Sequence, residues 1–154
     1  MREELRYRRQ PRKWMPKPRA ASPIPAIRKM GRTMSDGFFV PGFPDGMAVF
    51  PGLDGLTLVL RNHEFRIGAP RSTGPFKGRK KLRKRIDPEL FYDSGGKHEP
   101  CLGSVTTLVY DTRNGELREE FLSLVGTLTN CSGGVTPRGT WVSCEESCEE
   151  SAEA

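Results

Sequence analysis

Histidine is scarce in this chain: His63 and His98 are the only two among 154 residues, and none of the four cysteines stands in a CxxC arrangement. A structural zinc finger is therefore not expected. Long apolar runs are absent too. None approaches the roughly 20 residues that a membrane helix needs, so no span of a bilayer is expected. Hydrophobic residues make up only 35% of the chain, while 17 Gly and 13 Pro mark many turns. That balance points to an all-β, loop-heavy protein, with enough length for one domain. The chain opens MREELRYRRQPRKW, and no apolar segment follows the pair Arg8-Arg9. No export signal is readable there, which makes a cytoplasmic location the expectation from the residues alone.

The net charge of +6 conceals an uneven distribution. Residues 1–34 hold 11 Lys/Arg against 2 acids, and KGRKKLRKR at 77–85, from Lys77 to Arg85, holds 7 more. The remainder sets 7 Lys/Arg against 17 Asp/Glu, so the body is acidic and suits a cation-binding protein. Residues 1–32 carry Pro11, Pro16, Pro18, Pro23 and Pro25 with no hydrophobic period. They read as a disordered basic arm. With Tyr7 and Trp14 as stacking partners and residues 77–85 as a second patch, the arm also suits nucleic acid or another polyanion. A small basic polyanion-binding protein is the alternative function. The bland reading of 77–85 is a solvated loop.

Ordered structure is expected from about Met34. Short apolar pieces at 47–50 and 56–60 flank Pro51-Gly52-Leu53-Asp54-Gly55, a strand, turn, strand pattern. Residues 104–112 alternate and are rich in β-branched side chains. Asp111-Thr112-Arg113-Asn114-Gly115 then offers a hairpin turn with Asn-Gly at its tip, and 116–125 forms the return strand.

Two clusters carry chemistry. GTLTNCSGGVTPRGTWVSCEE at 126–146 ends by placing the thiol of Cys144 beside Glu145 and Glu146. In an extended chain Cys144 and Glu146 share one face and Glu145 points to the other. Thiolate with carboxylate is a mixed metal-ligand set, hard oxygens for calcium and sulfur for iron, zinc or copper. The plain alternative is a half-buried Cys followed by solvated acids. The second cluster is Asn62-His63-Glu64 at the end of LTLVLRNHE, where Asn62 and Glu64 offer oxygens and His63 a nitrogen for a metal or a phosphate.

The segment 126–146 resembles the PhoX-type alkaline phosphatase family, whose members carry a GTL-R-N-C-A-G-G-x-T-P-W-G-T-W-L-T-C-E-E run. Further anchors are MSDGFFVPGFPDGMAVFPG at 34–52, LVLRNHE at 58–64 and SVTTLVYDTRNGELREEFLSLVGTL at 104–128. One departure lies inside the motif, where TPWG of the family is Thr136-Pro137-Arg138-Gly139 here. The resemblance implies a β-propeller phosphomonoesterase, periplasmic or secreted, with iron and calcium at the mouth of its channel. Carried over residue by residue, it implies Cys144 as an iron ligand, Glu145 as an iron or calcium ligand, and Glu146, Glu64 and Asn62 as further ligands. Asn130, Gly133 and Gly134 would shape the loop that a phosphomonoester approaches. With Cys144 given to metal, a disulfide would fall to Cys101 and Cys131.

The same resemblance makes residues 33–146 the first two to three blades of an incomplete propeller, with 147–154 as an acidic tail. A propeller needs at least 4 blades of about 40 residues. The expectation is a truncated family member without phosphatase activity on its own. Cys144-Glu145-Glu146-Ser147 recurs at once as Cys148-Glu149-Glu150-Ser151, and the first copy is preferred because GTWVS leads into it.

Overall fold

A computed structural model of the protein describes residues 29–147. Residues 1–28 of the expected arm and 148–154 of the expected tail, including the second CEES copy, lie outside them. The described residues are all-β apart from one helical turn, α1 (Lys80–Arg83), and three short 3-10 turns. Strands β1 (Pro44–Pro51), β2 (Thr57–His63), β3 (Gly103–Asp111) and β4 (Glu116–Thr127) form an antiparallel sheet in the order β1-β2-β3-β4. A separate hairpin pairs β5 (Ser132–Val135) with β6 (Trp141–Cys144). No closed ring of sheets is present among the described residues: one four-stranded sheet and one hairpin stand where two to three blades were expected.

Both expected strand pairs exist, and each runs longer than its apolar core. The β1–β2 pair extends from Pro51↔Thr57 at the turn to Pro44↔His63, with a register shift between Pro44 and Met47. The β3–β4 turn is longer than an Asn-Gly tip. The Asp111 carboxylate accepts from the backbone N–H of Arg113 and Asn114, and Gly115 closes the turn at φ 72°. A side chain thus does what a two-residue turn would do with backbone alone.

One face of the sheet is covered by segments outside its strands. Met34, Phe38 and Val40 from before β1, with Phe76 and Ile86 from the long β2–β3 connection, pack on Leu122 and Val125 of β4. Phe38 meets Phe76 edge to face at 5.6 Å. Order also begins before Met34, since Gly31 N–H donates to Val40 and Val40 N–H to Arg32. The basic run 77–85 is not a plain solvated loop. Leu82 packs against the core, Lys77 lies 4.0 Å from the centre of the Phe39 ring, and Lys80 and Arg83 pair with Glu99.

Beneath this cover lies a buried polar row. Arg61 on β2 reaches across β3 to Glu120 on β4 at 2.9 Å, with Glu120 fully buried. Next to it His63 is fully buried, its Nδ1 2.8 Å from the Gly42 carbonyl and its Nε2 2.9 Å from Thr106 Oγ1. Burial first, and the Arg61 charge second, hold its pKa down to about 3. The ring is neutral, so Nδ1–H donates to Gly42 and Nε2 accepts from Thr106 and Arg61. Both ring nitrogens are spoken for. That corrects the expectation that His63 offers a nitrogen to a metal or a phosphate.

A candidate carboxylate site at one end of the sheet

Asn62 points to the opposite face from His63, as strand alternation requires. Its side-chain N–H donates to the Ser132 carbonyl at 2.9 Å, and its oxygen accepts from Trp141 Nε1 at 3.0 Å and Ser143 Oγ at 3.2 Å. These three bonds fasten the β5–β6 hairpin to the sheet. Asn62 is placed as a clamp, with its oxygen already accepting twice. Gly133 makes the close fit possible, because a Cβ there would strike the Trp141 ring and the Val142 carbonyl. Gly134 has open space around its Cβ position, and Asn130, fully buried, donates to the Ser104 carbonyl at 3.0 Å while its own Oδ1 has no partner among the described residues. A buried Asn130 is no acceptor for a glycan despite its Asn-Cys-Ser context.

The hairpin's alternation decides where the CEE residues go. Trp141 and Ser143 turn toward Asn62, so Val142 and Cys144 turn outward, and Cys144 is an exposed free thiol. After β6 the chain bends. Glu145 Oε1 accepts from Leu128 N–H at 2.6 Å, tying the end of the hairpin to the end of β4. Glu146 instead faces the start of the hairpin, where the Cys131 thiol donates to its carboxylate. The thiol is held above its ordinary pKa, by desolvation first and by Glu146 second. Cys101 is also raised, chiefly by burial. Cys101, Cys131 and Cys144 are all free, so the expected Cys101–Cys131 disulfide does not form.

Glu64 and Glu146 are the members of the expected ligand set that come together, and Asp45 joins them. Glu64 is raised above the ordinary carboxylate range because it shares a hydrogen bond with Asp45, loses solvent, and feels the charge of Glu146. Arg66 at 3.6 Å compensates in part, but its side chain is 79% exposed. Two strained residues hold the acids there. Phe43 (φ 50°) and Thr129 (φ 51°) are non-glycine residues in the left-handed region, and their carbonyls accept the backbone N–H of Glu64 and Glu146 respectively. Such strain persists only where surrounding structure enforces it. Gly46 lets the two halves approach, donating its N–H to the Cys131 carbonyl at 2.8 Å where a Cβ would clash.

Asp45, in β1, is not among the ligands expected from the sequence. Counting pairs outward from the 52–56 turn does not find it, because a register shift between Pro44 and Met47 is what sets Pro44 opposite His63.

The donor set suits a hard cation in kind. Carboxylates that crowd one another favour a site where positive charge is wanted. It does not suit iron through Cys144, whose thiol lies on the outward side of β6. Among the described residues no group of three His, Cys, Asp or Glu side chains is arranged closely enough to hold an ion as it stands. No helix among them is long and apolar enough to cross a membrane.

Comparison with known proteins gives one match. A family model, alkaline phosphatase PhoX, matches residues 68–154, more than half of the chain. No curated protein and no solved structure matches it.

Proposed function

The chain belongs to the alkaline phosphatase PhoX family, and we propose that its part in phosphomonoester chemistry is to present Asp45, Glu64 and Glu146 as oxygen ligands for calcium. The observation that carries this reading is the side-chain hydrogen bond between Glu64 and Asp45, with the Glu146 charge also acting on Glu64 and helping to raise it. Carboxylates of this kind take calcium in preference to softer ions. A calcium ion held there would supply the charge that neutralises phosphate oxygens during transfer to water.

The chain's own groups divide the remaining work. Glu64 shares a side-chain hydrogen bond with Asp45, and a cation arriving there would relieve the crowding that raises it. Glu146 is kept in place by the Cys131 thiol and the Thr129 carbonyl. Arg66, exposed and only loosely paired, is free to swing toward a phosphate dianion. Cys144 stands apart on the outward side of β6, so the iron ligand that the resemblance implied does not share a centre with these acids. Because only part of a ligand set is gathered here, the isolated chain is inactive in this reading. The antiparallel β1-β2-β3-β4 order is that of a propeller blade, which agrees with the architecture the resemblance implies.

Calorimetric titration of the purified chain with calcium tests the site. Binding should weaken at least tenfold in Glu64→Gln and Glu146→Gln and stay unchanged in Glu145→Gln, whose carboxylate serves Leu128 N–H. Equal binding by all three variants would overturn the assignment. Turnover of p-nitrophenyl phosphate by the chain with iron and calcium, absent from Cys144→Ser, would overturn the proposed inactivity and restore Cys144 to the centre.

A further inference from the structure

The basic run 77–85 has two sides, and the phosphatase reading uses neither. Lys80 and Arg83 turn to Glu99 and pair with it at 3.5 and 2.8 Å. Arg79, Lys81 and Arg85 instead line a cleft of ≈ 330 Å³ together with Gly37, Phe39 and Leu82, and that lining contains no acid. All three cations are exposed, and none has an acidic partner among the described residues. Their backbone is not that of a loose loop. Leu82 packs on the core, Ile86 is buried in it, and Arg79 N–H donates to the Phe76 carbonyl at 2.9 Å. The Arg79 guanidinium stands 5.4 Å from the centre of the half-buried Phe39 ring, and Arg85 Nη2 comes within 3.5 Å of where a Gly37 Cβ would stand.

We propose that this cleft binds a chain of phosphate groups, as found in single-stranded nucleic acid or inorganic polyphosphate. The site is independent of the carboxylate end, with which it shares no residue. Three like charges held side by side raise the local positive potential, and no carboxylate in the lining neutralises it. An anion does so instead. A lone phosphate gains little from exposed cations, because water and salt screen each pair. Successive phosphates engage all three at once, and each contact adds the release of condensed counterions. Glu99 gives the run its direction: by holding Lys80 and Arg83 it takes their charges out of play, so a polyanion settles on the side of Arg79, Lys81 and Arg85. The Phe39 ring under Arg79 fixes that guanidinium at the edge of the cleft.

The test is binding of a labelled oligothymidylate, of tripolyphosphate and of inorganic phosphate to the full chain, so it does not depend on turnover. Lys81→Gln/Arg85→Gln should weaken binding of the two polyanions about tenfold, and Lys80→Gln/Arg83→Gln less than about twofold. Both variants remove the same charge, so any contribution from the basic N-terminal residues is equal in each. Inorganic phosphate should bind at least about tenfold more weakly than tripolyphosphate. In nuclear magnetic resonance the bound polyanion should shift the Phe39 and Leu82 signals of the wild type, a measurement that needs no variant to fold. Equal loss in the two double variants, inorganic phosphate binding as tightly as either polyanion, no shift at Phe39 and Leu82, or no binding of either polyanion overturns the site. Tripolyphosphate binding that needs Lys81 and Arg85, with no oligothymidylate bound, supports the cleft and assigns it to polyphosphate, and the converse assigns it to nucleic acid.

Discussion

At the Asp111 end of the sheet a carboxylate is surrounded by donors, and at the Glu64 end a carboxylate is surrounded by other acids. Asp111 accepts from the backbone of Arg113 and Asn114, from the Asn114 side chain at 2.8 Å and from Arg118 at 3.0 Å. The Arg118 bond, ahead of the backbone donors, holds its pKa down to about 2. Glu64 moves the opposite way because Asp45 and Glu146 crowd it. The two residues close neighbouring strand ends of one sheet, yet only one is satisfied by the fold. A saturated carboxylate builds a turn, whereas a crowded one stores repulsion that a proton or a cation relieves.

Acid should break this comparison first and most strongly at the Glu64 end, through His63. Its folded pKa of about 3 lies below its ordinary 6.5, so the unfolded chain binds the extra proton between those values. Stability from the neutral ring is complete above about pH 6.5 and is lost as pH falls toward 3, by at most about 5 kcal/mol. Asp111, also depressed, contributes above its ordinary 3.8 and loses that contribution only between there and about 2. Glu64 has the reverse sign, since a raised carboxylate adds stability at low pH that disappears as pH rises through its folded value. Urea unfolding at pH 7 and pH 4.5 should therefore show a large loss that a His63→Gln variant lacks. Equal slopes in the two proteins would show that His63 is not buried as a neutral ring.

Next in size is the clamp. Asn62→Ala leaves Trp141 Nε1, Ser143 Oγ and the Ser132 carbonyl without their shared partner and should cost about 3 kcal/mol. Hydrogen exchange should speed in β5 and β6 while the β3–β4 turn keeps its protection. Uniform loosening of both ends would mean that the hairpin is fastened elsewhere. At the far end, Asp111→Asn removes the charge that gathers Arg118 and the turn amides, and should lower Tm by about 3 °C. The smallest effect, and the one that sharpens the contrast most, is Glu64→Gln. Without calcium it should raise Tm by about 1 °C by removing like-charge repulsion, and it should cancel any rise that calcium gives the wild type. A fall in Tm would place Glu64 with Asp111 among the structural acids.

The strands were legible because each announced itself locally. Residues 47–50 lie inside β1, all but the first of 56–60 lie inside β2, and the alternation of 104–112 became β3 except for its last residue. The cover of the sheet was not legible, since Met34, Phe38, Phe76 and Ile86 are single apolar residues scattered among turns and charges, with no period to connect them. The basic run 77–85 concealed Leu82 in the same way. At the candidate site, Asn62 and His63 stood as one cluster in the sequence, and the strand sends them to opposite faces, one to the hairpin and one to the core. Cys144 was given to the acids by adjacency in sequence, and the hairpin register turned it outward. Cys131, thirteen positions earlier, took the place beside Glu146.

By itself the sequence determined the all-β class, the positions of the strand pairs, the family and an acidic body, because each follows from local pattern, composition or motif. Only the tertiary structure decided which acids meet. Asp45, Glu64 and Glu146 come from three separate segments, and their proximity depends on a register shift in β1, two left-handed residues whose carbonyls hold the acid backbones, and a hairpin fastened by Asn62. The physical reason is that like charges do not gather by local preference. They are held together only where packing and hydrogen bonds elsewhere in the fold outweigh their repulsion.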